Sequence, residues 1–483
     1  MKKTKNNSAT TKSFIISRYS TILFLIHISA ICPSVLAGPR DSTLGYAEYI
    51  SLVMKNHPLA LQADLIPQNA EMLISKAKSA FDPTLLFSWD NKNFSDKTYY
   101  SILEGGLKLP LRYGPDLKFF YDQNTGTQLN PEASLPSDGL LRSGIELPLL
   151  QGLLMDRRRT DLTKARINKN LSENERKIVL LDLYFEASRA YWQWTESYAI
   201  LKLQEEMYSK ALERFEAVKR TSLLEDRPLL DTIEAFIQVQ NRNFAYMQSA
   251  LLYTNQKALV SVYLWNDSHY PMEMSATVLP DNIKELALSK PDSNLISDIL
   301  SLVNEHPALK QYSNKKELVM ADLRLNREQF KPQLNLQYYW LTSPVINSND
   351  RKLDNNKWGL QFYSPIIFRK ERADVNIAKL KLQDLSYEQS LKVAQQSYKI
   401  NTAFNEWVTA TDQVNLTGQI RIRSEKMLEG EKKLFTLGES SLFMINQREQ
   451  DFINSNLRYY EAVIKNRLAE IRTYYQAGTL NLQ

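Results

Sequence analysis

The spacing of apolar positions along the chain changes character twice, in the same order each time. Thr84-Leu85-Leu86-Phe87-Ser88-Trp89 and Gly144-Ile145-Glu146-Leu147-Pro148-Leu149 alternate apolar with polar side chains. So do Leu334-Asn335-Leu336-Gln337-Tyr338-Tyr339-Trp340 and Gly359-Leu360-Gln361-Phe362-Tyr363. A period of two with aromatics, bounded by turn residues, predicts strands. Beyond each set of strands the texture turns helical. No proline occurs from Leu149 to Arg227 or after Pro365, and no glycine from Leu153 to Trp358. Such breaker-free stretches, rich in Leu, Lys, Glu, Gln and Ala, predict helices over 157–222 and 370–436, each about 100 Å long at 1.5 Å rise per residue. Each ends in a turn (Thr221 to Pro228; Thr436 to Ser441) and returns as a shorter helix over 229–265 or 442–476. Ile178, Leu181, Phe185 and Trp192 keep heptad spacing, which predicts coiled-coil contact. Helices this long bury a stripe, not a globular core.

The two stretches share one plan. Asn56-His57-Pro58-Leu59-Ala60 returns as Glu305-His306-Pro307-Ala308-Leu309, and Phe81-Asp82-Pro83 as Phe330-Lys331-Pro332, both at an offset of 249. Arg159-Thr160-Asp161-Leu162 returns as Arg372-Ala373-Asp374-Val375, and Ala190-Tyr191 as Ala403-Phe404, at an offset of 213. One insertion of 36 residues between Pro83 and Pro148 accounts for the change. It carries further alternating runs, Ser101 to Leu111 and Leu117 to Tyr121, which predict an extra hairpin without fixing its place. A proline at a first helical turn suits a helix start, so short helices are expected over 59–80 and 307–330. The expected organisation is a first repeat over 38–266, an irregular connector over 267–298 with three prolines, and a second repeat over 299–483.

Charge and composition narrow the function. The net charge is +6, but five basic residues lie in the first twenty positions, leaving 55 basic against 54 acidic residues. A nucleic-acid binder keeps its basic surplus on the folded part, so that class loses weight. The basic start, the apolar run Ile22 to Ile26 and the exit Val35-Leu36-Ala37-Gly38 read as a signal peptide over 1–37. Cys32, the one cysteine, lies inside it, so the mature chain is expected to hold no thiol ligand, disulfide or cysteine nucleophile. His57, His269 and His306 form no cluster, and no P-loop, GxSxG or HExxH string occurs. The expectation is no enzyme, no cofactor and no metal. His57 and His306 read as helix caps, and Trp89, Tyr99, Tyr100, Trp340 and Trp358 as candidates for an interfacial aromatic girdle. Asp156 to Arg159 and Arg369 to Arg372 read as interfacial charge.

Together the paired His-Pro helix starts, the Phe-x-Pro strand entries, the Gly-x-x-x-Pro-type strand ends and the two long hairpins resemble the TolC family of outer membrane efflux proteins, over essentially the whole mature chain. The resemblance implies a mixed α and β fold with two internal repeats. Strands of a homotrimer would close one β-barrel in outer-membrane lipid, and coiled-coil hairpins would form a periplasmic tunnel. It implies a passive exit duct of a tripartite efflux or type I secretion system in a Gram-negative bacterium. The partners would be a periplasmic adaptor and an inner-membrane transporter of the RND or ABC type. Acidic residues after a hairpin turn narrow the tunnel in that family. The matching positions here are Asp231 and Glu234 in the first hairpin and the neutral Met444 and Gln447 in the second. Leu223, Leu224, Gly438, Glu439, Ser440 and Ser441 are the candidate adaptor-contact tips, with Gly438 expected to take a left-handed cap. The alternative is a periplasmic coiled-coil adaptor or structural protein of the envelope, although adaptors carry one hairpin and this chain has two.

Overall fold

The computed structural model describes residues 42–223, 228–286, 288, 290–292, 294–344 and 355–480. The expected signal peptide and its cleavage point, and Leu224 at the first tip, lie outside the described residues. A two-residue strand β1 (Ser42–Thr43) leads into α1 (Tyr46–Asn56) and α2 (Pro58–Lys78). Four strands follow: β2 (Thr84–Phe94), β3 (Lys97–Pro110), β4 (Asp116–Thr125) and β5 (Leu140–Pro148). The chain runs out along α3 (Arg157–Leu223) and back along α4 (Leu229–Tyr263). A short strand β6 (Val278–Leu279) and helix α5 (Leu295–Ser301) precede α6 (Pro307–Glu328). The strands β7 (Gln333–Thr342) and β8 (Asn356–Tyr363) then lead to α7 (Arg369–Thr436) and α8 (Leu442–Ala477).

Both His-Pro dipeptides start helices by the same device. His57 Nδ1 accepts from the Leu59 amide at 3.2 Å, and His306 Nδ1 from the Ala308 amide at 3.1 Å. Proline at the first helical position has no N–H to leave unpaired, and the imidazole takes one of the remaining orphan donors. The helices α1 and α5 and the pairing of β6 are not in the sequence reading. The connector is therefore irregular only in part: Val278 and Leu279 pair in parallel with Ser42 and Thr43. The Tyr191 hydroxyl, buried on α3, donates to Leu44 O at 2.8 Å and contacts the Asp281 carboxylate at 2.8 Å, pinning both strands to the long helix.

The main core lies around the middle of α3, where Tyr49, Val53, Ala187, Tyr191, Trp194 and Met207 are fully buried against α1, α4 and α8. Of the heptad-spaced positions, Leu181 and Trp192 are buried, while Ile178 and Phe185 are half-buried. The strands form one antiparallel sheet in the order β2-β3-β4-β5-β7-β8. The hairpin predicted within the 36-residue excess is β3–β4, and it sits inside the sheet, between β2 and β5. Its register with β2 spans Thr84↔Lys108 to Phe94↔Lys97, and with β5 spans Asp116↔Glu146 to Asp122↔Leu140.

Candidate functional site

Register and alternation divide the sheet into two unlike faces, because side chains at i and i+2 point the same way and cross-strand partners share a face. One face carries Leu85, Phe87 and Trp89 of β2, opposite Leu107, Gly105 and Leu103 of β3. It continues through Leu117, Phe119 and Tyr121 of β4 and Ile145 and Leu141 of β5. Leu336, Tyr338 and Trp340 of β7 and Leu360, Trp358 and Phe362 of β8 complete it. Asn91, Ser101, Gln123, Thr125, Thr342 and Asn356, which are polar, collect toward the loop end of that face, and Ser143 lies within it between Phe119 and Trp340. Trp89, Trp340 and Trp358 lie on it as the girdle reading requires; Tyr100, paired with Lys92, lies on the opposite face.

The other face is charged. Lys118 pairs with Glu146, Lys108 with Asp116 at 3.0 Å, and Arg142 with Glu104 at 3.1 Å and with Asp122. Leu86, Ile102, Leu140 and Leu341 are its chief apolar members. At its centre the Arg142 guanidinium lies 4.9 Å from the Phe120 ring centre and 5.5 Å from that of Tyr339, both rings buried. Phe120 lies flat over Gly106, where an added Cβ would come within 2.1 Å of the ring, so only glycine admits this packing. Four strands thus meet at one arginine: β3, β4, β5 and β7.

At the first strand-to-helix junction the expected interfacial charges are mostly engaged in structure, whereas Arg369, Lys370 and Arg372 at the second are exposed. Arg158 bridges Asp116 at 3.0 Å and Asp156 at 3.2 Å. Arg159 holds Asp156 at 3.1 Å and also takes the carbonyls of Gly152, Leu153 and Leu154. Burial opposes ionisation of Asp156, but the Arg159 amide and the two guanidinium groups outweigh it and hold the carboxyl below its ordinary range. Arg157 alone of the three stays largely in solvent.

The tips of the two hairpins lie together, with Val218, Ala235 and Leu442 buried in one cluster against Phe215 and Phe435. Gly438 adopts φ +78°, the left-handed value expected of it. Its amide donates to Phe435 O at 3.1 Å and the Glu439 amide to Leu434 O at 2.9 Å, which closes α7 in a Schellman turn. The Ser440 hydroxyl donates to Glu431, and Ser441 Oγ caps α8 by accepting from the Met444 amide at 3.3 Å. Leu223 is 77% exposed.

The four candidate constriction residues lie near the starts of α4 and α8. Asp231 is half-buried in the first turn of α4. Glu234 accepts from Asn446 Nδ2 at 3.0 Å, Gln447 donates to Asp451 at 3.3 Å, and Met444 is half-buried. Beneath them lies a cluster that the sequence reading missed. Glu449 of α8, 1% exposed, binds Arg214 of α3 and lies 3.8 Å from Arg242 of α4. Arg214 also donates to Asn446 at 2.8 Å, and Arg242 to Gln450 at 2.8 Å. Burial lowers the Arg242 pKa from its ordinary value; Glu449 opposes this shift and Arg214 adds to it.

Among the described residues no helix is long and apolar enough to cross a membrane, and no group of His, Cys, Asp or Glu is placed to hold a metal ion. No family model matches the chain, and no curated protein matches it. Solved structures do. The open state of the Neisseria gonorrhoeae MtrE outer membrane channel superposes with a TM-score of 0.67 at 14% identity, covering 97% of this chain and 99% of that one. The Campylobacter jejuni CmeC outer membrane channel gives 0.63 at 13% identity, with 90% and 85% covered. The Vibrio cholerae outer membrane protein VceC gives 0.62 at 12% identity, with 89% and 95% covered. At these identities the likeness establishes the fold.

Proposed function

We propose that this chain, whose fold is that of the TolC-like outer-membrane efflux channels, is one protomer of a passive exit duct in the outer membrane of a Gram-negative bacterium. The observation that carries the reading is the two-faced sheet. An apolar face on strands of eight to fourteen residues fits a hydrocarbon layer, which tilted strands of about ten residues cross. The charged face then lines a water-filled lumen. One copy leaves β2 and β8 as open edges. In lipid each unpaired backbone group costs several kcal/mol, so copies must close the sheet into a barrel. The resemblance makes that assembly a homotrimer, with the duplicated helical hairpins forming a tunnel through the periplasm.

The duct carries out no chemistry of its own and works within a tripartite efflux or type I secretion system. The tips at Leu223 and Gly438 to Ser441, together with Leu224, form the surface for a periplasmic adaptor, which links the duct to an RND or ABC transporter. Asp231, Glu234, Met444 and Gln447 ring the narrow end. A periplasmic adaptor is the weaker reading, because its sheet would hold the whole apolar face against water. The test is the mass of the detergent-extracted protein beside its conductance in a planar bilayer. A conducting trimer supports the duct; a stable folded monomer in the outer membrane refutes it.

A further inference from the structure

We infer that the inserted hairpin β3–β4 is part of the membrane wall, so that three copies close a barrel of eighteen strands instead of twelve. This rests on the duct reading above and goes beyond it. The second half of the chain contributes two strands, β7 and β8, and its counterparts in the first half are β2 and β5. Without the insertion each copy would supply four strands.

Three observations place the hairpin in the wall rather than over its mouth. The first is pairing. β3 bonds to β2 and β4 to β5 along most of their lengths, so removal of the hairpin would leave β2 and β5 without a partner between them. The second is the continuity of both faces. Leu107 and Phe119 fall in register with Leu85 and extend the same apolar surface, while Lys108 and Lys118 extend the charged one. A hairpin folded over an aqueous mouth has no reason to keep Leu103, Leu107, Leu109, Leu117 and Phe119 on one face in step with the apolar residues of its neighbours. The third is the Arg142 centre. Phe120, Asp122 and Glu104, all from the hairpin, share that guanidinium with Tyr339 of β7. The hairpin therefore supplies much of the charge on that face, through Glu104, Lys108, Asp116, Lys118 and Asp122.

The consequence is bore. At a strand spacing of about 4.8 Å and a tilt of about 40°, eighteen strands give a backbone radius of roughly 18 Å, against roughly 12 Å for twelve. The lumen section rises about twofold, which suits bulky hydrophilic cargo.

The mature chain is expected to lack cysteine, so single-cysteine variants can report the surroundings of each face. The mature protein in liposomes would carry Phe119→Cys, Leu107→Cys or Lys118→Cys on the hairpin, with Leu336→Cys and Gln337→Cys on β7 as references. Each is labelled with a fluorophore and quenched by a nitroxide lipid or by aqueous iodide. Expected is lipid quenching at 119 and 107 as strong as at 336, and iodide quenching at 118 as strong as at 337. Aqueous quenching at 119 and 107 with lipid quenching at 336 overturns the eighteen-strand wall and leaves the duct standing. Aqueous quenching at 336 overturns the duct reading itself. Images of the unsubstituted trimer in lipid give an independent answer: a wall radius nearer 12 Å than 18 Å refutes the inference.

Discussion

A histidine that caps a helix through Nδ1 must be neutral, since an imidazolium has no lone pair to offer. Burial holds both capping histidines below their ordinary pKa, and Lys392 and Lys399 push His306 the same way. For a base with a lowered folded pKa, the stabilising contribution is complete above the unfolded value of 6.5 and fades as pH falls through the folded one. His57→Ala and His306→Ala should each cost about 1 kcal/mol at pH 7.5 and less at pH 5; denaturant midpoints at both values check this. Glu196 of α3 behaves in the opposite sense. Burial, and then the charge of Glu461 on α8, raise it to about 6, in a recess also lined by Glu406, Lys465 and Arg472. Its contribution is lost as pH rises from 4.5 to about 6, and Glu196→Gln should flatten that fall. The caps were legible because a His-Pro start is local. Glu196 was not, because its burial is decided by a helix more than two hundred residues away.

Between elements, the tight joint is where α3 and α4 meet α8 at Glu449. A buried carboxylate between two arginines adds little net stability over an apolar triad, but removing one partner strands a charge. Glu449→Ala should cost about 3–5 kcal/mol. The triple replacement Arg214→Met, Arg242→Met, Glu449→Leu should cost far less, and equilibrium unfolding of the two variants distinguishes them. At the second tip nothing lies within 4 Å of a Cβ built on Gly438, so substitution there strains only the backbone. Gly438→Val should cost about 1–3 kcal/mol and Gly438→Asn clearly less, seen as earlier proteolysis at that turn. The ends of the long helices fall within two or three residues of the sequence reading, because proline and glycine punctuate the chain there. The Glu449 joint left no trace in sequence: arginine and glutamate at helical spacing look the same on a solvated face as in a buried triad. The eleven-residue α1 was missed because it runs directly into the His-Pro start that drew the reading.

For the whole molecule, strand alternation was readable residue by residue, while the place of the inserted hairpin was not, because pairing order depends on partners and not on period. The two-faced sheet makes a direct prediction. Leu336→Arg puts a charge on the apolar face and should cost about 2–4 kcal/mol, lowering the yield of assembled protein in membranes. Gln337→Arg, one residue along on the charged face, should leave that yield unchanged; quantitative immunoblotting of membrane fractions compares them. The β3–β4 insertion also has a topological meaning. A chain that crosses a wall once more emerges on the far side, whereas a chain that crosses twice returns to the side it left. Because the 36 residues form a down-and-back pair, the proposed wall would have α3 begin on the side where α2 ends and keep both long hairpins in one compartment. An odd insertion would have sent the first hairpin outward and made the seam between copies parallel. A wall of the proposed kind can therefore widen only by whole hairpins, and the β3–β4 insertion is one whole hairpin.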